Sequence, residues 1–233
     1  MPSMPTSSPI PTSSPPSEDE GEPRLRDLGH REYGLVWEAM RAFTAERTAE
    51  TPDELWLVEH PPVFTQGRNG RPEHLLNITG IPVVETDRGG QVTYHGPGQV
   101  VAYPLLDLRR RGWGVRHYVA ALEQAVIDLL ADYGLAGVRK EGAPGVYLDR
   151  PGLPKIAAIG LRVRGGCTYH GVSLNLTNDL EPFTMINPCG YAGMAVTRIG
   201  DHVPGLDAEA AKRAFTSALL HQFRPSQESV HGR

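Results

Sequence analysis

Two β-patterned runs, residues 155–164 and 167–175, flank the pair Gly165-Gly166. Adjacent glycines suit a primed two-residue turn, whose central positions need positive φ. The sequence therefore predicts a long hairpin in the second half of the chain. Around it, a first helix is predicted over residues 31–50, with Val36, Met40 and Phe43 at helical spacing. The clearest helix covers residues 116–133. Val119, Leu122, Val126, Leu129 and Tyr133 share one of its faces, and Gly134 is placed to cap it. A last helix starts after Asp207, a good N-cap, and ends near Phe223. Strands are predicted at 54–59, 81–85, 91–94, 99–105, 138–140 and 145–149, with a Pro/Gly-rich loop holding residues 64–70. Helix, strands, helix, strands, helix is not a strict strand–helix repeat. A purely parallel doubly wound sheet is excluded, and an α/β (α+β) fold with helices on a mixed sheet is expected.

With 233 residues, 39% of them hydrophobic, the chain has material for one core. A net charge of −4 gives no electrostatic footprint for nucleic acid. No apolar run reaches the roughly 18–20 residues of a membrane span, and the longest, 100–106, contains Pro104. Residues 1–22 are rich in Pro, Ser and acid and lack the features of a secretory signal, so they read as a disordered tail. A catalytic domain is expected over 23–224, followed by a flexible tail at 225–233. The two cysteines, Cys167 and Cys189, read as free thiols of a reducing cytoplasm.

The densest chemical signal is Arg88-Gly89-Gly90-Gln91-Val92-Thr93-Tyr94-His95-Gly96-Pro97-Gly98-Gln99. Its glycines let backbone approach a ligand closely, which describes a wall that touches substrate. Cys189 follows Asn187-Pro188 and precedes Gly190, which puts it in a turn. Buried structural cysteines usually sit in regular elements. Lys155 opens the apolar run Ile156-Ala157-Ala158-Ile159-Gly160, in a chain with three lysines among 23 basic residues. A strand-end lysine can snorkel to water. It can also favour a nearby thiolate and exchange a proton when buried, which arginine cannot. Lysine, cysteine and glycine-lined wall together point to acyl transfer through a thioester.

Other features are weaker. Thr-Tyr-His-Gly occurs at 93–96 and at 168–171, each time shortly after Arg-Gly-Gly, so His95 and His170 could edge one pocket or match by chance. Arg109-Arg110-Arg111 reads as a solvated turn or as a docking patch for an acidic partner. Cys167, beside the hairpin turn, reads as packing or surface. No zinc-ligand spacing, Gly-x-Ser-x-Gly elbow, Walker loop or dinucleotide fingerprint occurs, so neither metal nor cofactor is expected.

Four blocks resemble the bacterial octanoyltransferases, the lipoyl(octanoyl) transferase or lipoate-protein ligase B family. They are Phe64-Thr65-Gln66-Gly67-Arg68 with Pro72-Glu73-His74-Leu75-Leu76; residues 88–99; Lys155 to Gly160 leading into His170-Gly171-Val172-Ser173-Leu174-Asn175; and Asn187-Pro188-Cys189-Gly190. The resemblance spans about residues 28–224. It implies a single domain like the catalytic domains of lipoate-protein ligase A and biotin protein ligases. It implies Cys189 as nucleophile and Lys155 as its partner. Substrate-binding positions would be Arg88, Gly89, Gly90, Gln91, Val92, Thr93, Tyr94, His95, Ala158, Ile159, Gly160, Gly171, Val172 and Ser173. The implied donor is octanoyl–acyl carrier protein. The implied acceptor is a lysine of a lipoyl domain in 2-oxoacid dehydrogenases or of the glycine cleavage H protein. A monomer is expected, and Val92, Ile156, Ala158 and Ile159 would form the floor of an acyl slot. The rivals are an ATP-dependent lipoate or octanoate ligase on the same fold, a non-catalytic lipoyl-domain or acyl carrier protein binding module, and a thioester hydrolase.

Overall fold

The computed structural model describes residues 21–224. The two tails read from sequence therefore fall, apart from Gly21 and Glu22, outside the described residues. The predicted hairpin is present: β9 (Lys155–Arg164) and β10 (Cys167–Asn175) pair antiparallel, and Gly165 and Gly166 have φ of 57° and 84°. Around it lie β1 (Arg24–His30), β2 (Glu54–Glu59), β6 (Gln99–Leu105), β7 (Gly137–Arg139) and β8 (Gly145–Leu148). They form a seven-stranded sheet in the order β1-β2-β6-β10-β9-β8-β7. β1 runs parallel to β2, and the other pairs are antiparallel. A second sheet, order β4-β3-β5, is built from β3 (Val63–Gln66), β4 (Val83–Glu85) and β5 (Val92–His95). The mixed sheet with packed helices is as expected.

Strand alternation gives the large sheet two apolar faces. One face, with Leu55, Leu57, Val100, Ala102, Ile156, Ala157, Val172 and Leu174, packs on α2 (Val115–Asp132) and α3 (Ala208–Gln222). The other, with Trp56, Val58, Val101, Tyr103 and Leu105, packs on Val36 and Met40 of α1 (Tyr33–Glu46). The helix signals behave as local chemistry dictates. Gly134 has φ +69°, and Leu135 N–H reaches Leu130 O at 2.9 Å, a left-handed C-terminal cap. Asp207 Oδ1 accepts from Ala210 N–H at 3.0 Å. The buried stripe of α2 begins at Tyr118, while Val119 is half-buried.

Two elements depart from the sequence reading. β1 was not expected. It is a sheet-edge strand, and its Arg-Leu-Arg-Asp-Leu-Gly-His pattern leaves only Leu28 buried. β3 lies where a loop was expected. All four of its residues are buried between β4 and β5, so it shows neither alternation nor length. Of the run Arg109-Arg110-Arg111, two members are structural. Arg110 and Arg111 both bind buried Asp53, and Arg111 also donates to the carbonyls of Phe223 and Gly21. This clasp ties the loop before α2 to both ends of the described chain.

Candidate active site

A cavity of about 430 Å³ opens on the α1 face of the large sheet. One wall is the loop from Arg88 to Thr93, and the floor comes from Ala158 to Gly160 on β9 and Gly171 to Ser173 on β10. These strands are in register, Gly160 opposite Gly171 and Ala158 opposite Ser173, so small residues face each other across them. The wall is fastened to the floor by Gly89 N–H, which donates to Leu161 O at 2.8 Å. A Cβ on Gly160 would lie 3.1 Å from Arg88 Cδ and 3.2 Å from Gly89 O, so the close approach there favours glycine. Fourteen of the residues read from sequence as site residues converge here: Arg88, Gly89, Gly90, Gln91, Val92, Thr93, His95, Lys155, Ala158, Ile159, Gly160, Gly171, Val172 and Ser173.

Tyr94 does not join them. On β5 it faces away, into a cluster with Phe64 and Ile186, with the Phe183 ring 5.5 Å away. Ile156 is not a floor residue either: it lies with Ala157 in the core on the α2 face, at the point where the β8–β9 register shifts. Arg88 lines the cavity as a bracket. Its guanidinium donates to Thr65 O at 2.5 Å, Gln91 O at 2.7 Å, Gly89 O at 2.9 Å and Thr65 Oγ1 at 3.0 Å. These bonds fix the curve of the glycine wall against β3.

Lys155 is buried at the start of β9. Its Nζ donates to Pro144 O at 3.0 Å and lies 5.1 Å from the centre of the Tyr147 ring. Gly145, at φ +128°, makes room for this side chain: a Cβ there would lie 2.7 Å from Lys155 Cε. The Lys155 backbone is held by Ala195 O at 2.8 Å and by Thr197 N–H at 2.9 Å. Cys189 lies in the short turn Pro188–Gly190, and its side chain is outside the described part of the structure. The turn is anchored on both flanks. Upstream, Asn187 N–H donates to His74 O at 2.9 Å; downstream, Val196 bridges Lys155. Pro188 lines a small cleft with Lys155, and Tyr191 lines the large cavity with it. The backbone thus brings residues 188–191 beside Lys155.

Cys167 lies elsewhere. It pairs with Arg164, nine residues along β9 from Lys155, or roughly 30 Å at strand rise. It is free and buried, and burial pushes its thiol above the ordinary value. Both histidines of the repeated tetrapeptide do reach the cavity. The rest of the repeat diverges, since Thr168 donates to Pro104 O while Thr93 faces the cavity. Sequence reasoning missed Tyr33, Tyr103, Pro144, Gly145 and Tyr147. The run Ala143-Pro144-Gly145-Val146-Tyr147 carried a usable signal, a Pro-Gly pair opening a strand.

The family model for the lipoyl protein ligase A/B catalytic domain matches residues 32–220. A protein from Thiobacillus denitrificans named octanoyltransferase is 59% identical over 202 residues, covering 86% of this chain and 91% of its own. The chain belongs to the octanoyltransferase family, and the expectation of an acyltransferase is met. A Pseudomonas fluorescens relative of the same name is 53% identical over 209 residues, 89% of this chain and 96% of its own. Among solved structures, a bipartite lipoate protein ligase from Thermoplasma acidophilum shares the fold. Its TM-score is 0.69 at 16% identity, over 86% of this chain and 83% of the other. A biotin protein ligase from Aquifex aeolicus follows at TM-score 0.51 and 12% identity, over 86% and 72%. Among the described residues no helix is long and apolar enough to cross a membrane.

Proposed function

We propose that this chain transfers octanoyl from acyl carrier protein to the target lysine of lipoyl domains and of the glycine cleavage H protein, in a reducing cytoplasm, through a thioester on Cys189. The transfer of octanoyl in protein lipoylation is supported by the relatives named octanoyltransferase. The mechanistic reading is carried by one observation: buried Lys155 shares the small cleft with Pro188 and the large cavity with Tyr191, on either side of Cys189. The Cys189 sulfur attacks the donor carbonyl, and pantetheine leaves as its thiol. Lys155 stabilises the attacking thiolate and carries the proton. One thioester replaces another, so the first step is nearly balanced. The acceptor amine then attacks, an amide forms and the Cys189 thiol is released. The stability of that amide drives transfer without ATP, which separates this reading from the ligase.

The acyl chain lies between the glycine wall and the floor of Val92, Ala158 and Ile159. At about 0.8 kcal/mol per buried methylene, such a slot supplies several kcal/mol of binding. The test is to mix the full chain with octanoyl–acyl carrier protein and weigh it intact. The mass rises by one octanoyl group, hydroxylamine removes it, and Cys189→Ser prevents it. Release of free octanoate without an acceptor would establish a hydrolase instead. Product formed only with ATP would establish a ligase.

A further inference from the structure

Away from Lys155 the cavity closes on rings. Tyr33, His95, Tyr103 and His170 line it there. Thr93 lines the small cleft with Lys155, and His95 lies two residues further along β5, about 7 Å at strand rise. Tyr103, one position past Ala102 on β6, stands level with Gly171 and Gly160. Between Lys155 and the rings the floor offers the small residues Ala158, Gly160, Gly171 and Ser173 with the aliphatic Ile159 and Val172. The rings are the aromatic groups that close the cavity at this end. An extended octanoyl chain, with seven C–C bonds of about 1.5 Å, is roughly 9 Å long, the scale of the step from the Lys155 cleft to the His95 and Tyr33 rings.

The rings are also fixed in place. Tyr33 OH lies 3.4 Å from His170 Nδ1, and His170 Nε2 lies 3.0 Å from Asp87 Oδ1. Asp87 is held in turn by Trp37 at 2.9 Å and by the Tyr169 hydroxyl. His95 Nδ1 is 2.7 Å from Gln99 Oε1, and Gln99 donates to Asn175 at 2.8 Å. Tyr103 OH meets His60 Nε2 at 2.9 Å. The Tyr33 ring stacks on His95 at 5.8 Å, with His60 5.9 Å behind it. His170 adopts φ +59°, a left-handed conformation its neighbours must enforce. An aliphatic end would yield by changing rotamer, whereas each of these rings is held by a partner.

We propose that the locked rings of Tyr33, Tyr103 and His170 form the wall that sets acyl-chain length. This rests on the octanoyl-transfer reading. The test offers wild type an equimolar mixture of six-, eight-, ten- and twelve-carbon acyl–acyl carrier proteins and weighs the acyl-enzyme early. Wild type selects eight carbons over ten by about tenfold or more, the scale set by a methylene that does not fit. Tyr33→Ala and Tyr103→Leu shift the ratio toward ten and twelve carbons by a similar factor. Folded variants that keep the wild-type ratio would overturn the wall. If neither variant folds, the wild type decides. An octanoyl thioester carrying a diazirine at its penultimate carbon should photolabel Tyr33, Tyr103 or His170, and labelling confined to other peptides overturns the proposal. A wild type that takes up no acyl group from any donor refutes the transfer reading itself.

Discussion

Two buried cations line the same cavity in opposite ways. Arg88 sits inside the glycine wall with its guanidinium bound to the carbonyls of Thr65, Gly89 and Gln91. Lys155 sits at the head of β9, with its ammonium against Pro144 O and the Tyr147 ring, and Gly145 cleared away beside it. The planar, permanently charged fork suits a fixed bracket. The single ammonium, able to release a proton, suits chemistry. In a chain with three lysines among 23 basic residues, a lysine stands where the proposed mechanism needs the charge to change. Nearness to the cavity is thus a poor guide to role, and the partners of the charged group are a better one.

The sharpest way to break this contrast is Lys155→Met, which keeps the length of the side chain and removes the charge. Octanoyl transfer should fall roughly a thousandfold, within the range of proton-transfer catalysis, while the thermal midpoint stays near wild type. A variant with near-normal turnover would remove Lys155 from the mechanism. Arg88→Met should do the reverse. Buried carbonyls left without a donor cost about 1–3 kcal/mol each, so stability should drop by about 3 kcal/mol or more in denaturant titration. Loss of transfer at full stability would show that Arg88 does more than brace the wall.

The rings at the far end add a pH test. Burial, opposed only in part by the Arg31 carbonyl, lowers His60 to about 4; burial and the neighbouring His60 lower His95 to about 3. The folded state therefore holds both imidazoles neutral, while the unfolded chain takes up protons near pH 6.5. Stability is full above pH 6.5 and falls as pH drops toward 4, because the unfolded state binds more protons. Asp53 and Asp87 push the same way at lower pH. Burial raises each, but the arginines around Asp53, and His170, Tyr169 and Trp37 around Asp87, hold both below the ordinary carboxylate value. Denaturation midpoints at pH 7.5, 6 and 5, as round test values, should decline in that order, and a flat series would contradict neutral buried imidazoles. The smallest expected effect is that of Gly145→Ala. It forces a Cβ into the backbone oxygen of Ala157 and toward Lys155 Cε at φ +128°, and should slow transfer by about tenfold, a displacement effect, with stability lowered by about 1–3 kcal/mol.

What the sequence showed and hid follows the range of each signal. The β9–β10 hairpin, the α2 cap and the α3 start depend on neighbours within a few residues, and each formed as expected. β1 and β3 depend on distant partners and were missed. The bracing bonds of Arg88 were hidden along with β3, because its chief acceptor, Thr65, lies on that strand. Ile156 was misplaced because the register shift between β8 and β9 puts it and Ala157 in the same core, which simple alternation does not predict. The ring wall was hidden because Tyr33, His95, Tyr103 and His170 come from four separate elements.

The central claim is that Lys155 and Cys189 act together through a covalent acyl-enzyme. Rapid-quench single turnover, with octanoyl–acyl carrier protein and a lipoyl-domain acceptor, tests it most directly. The account predicts that octanoyl appears first on Cys189, then decays at the rate the acceptor amide forms, and that Lys155→Met accumulates neither. Amide forming at the full rate with no octanoyl on Cys189 at any time would contradict it.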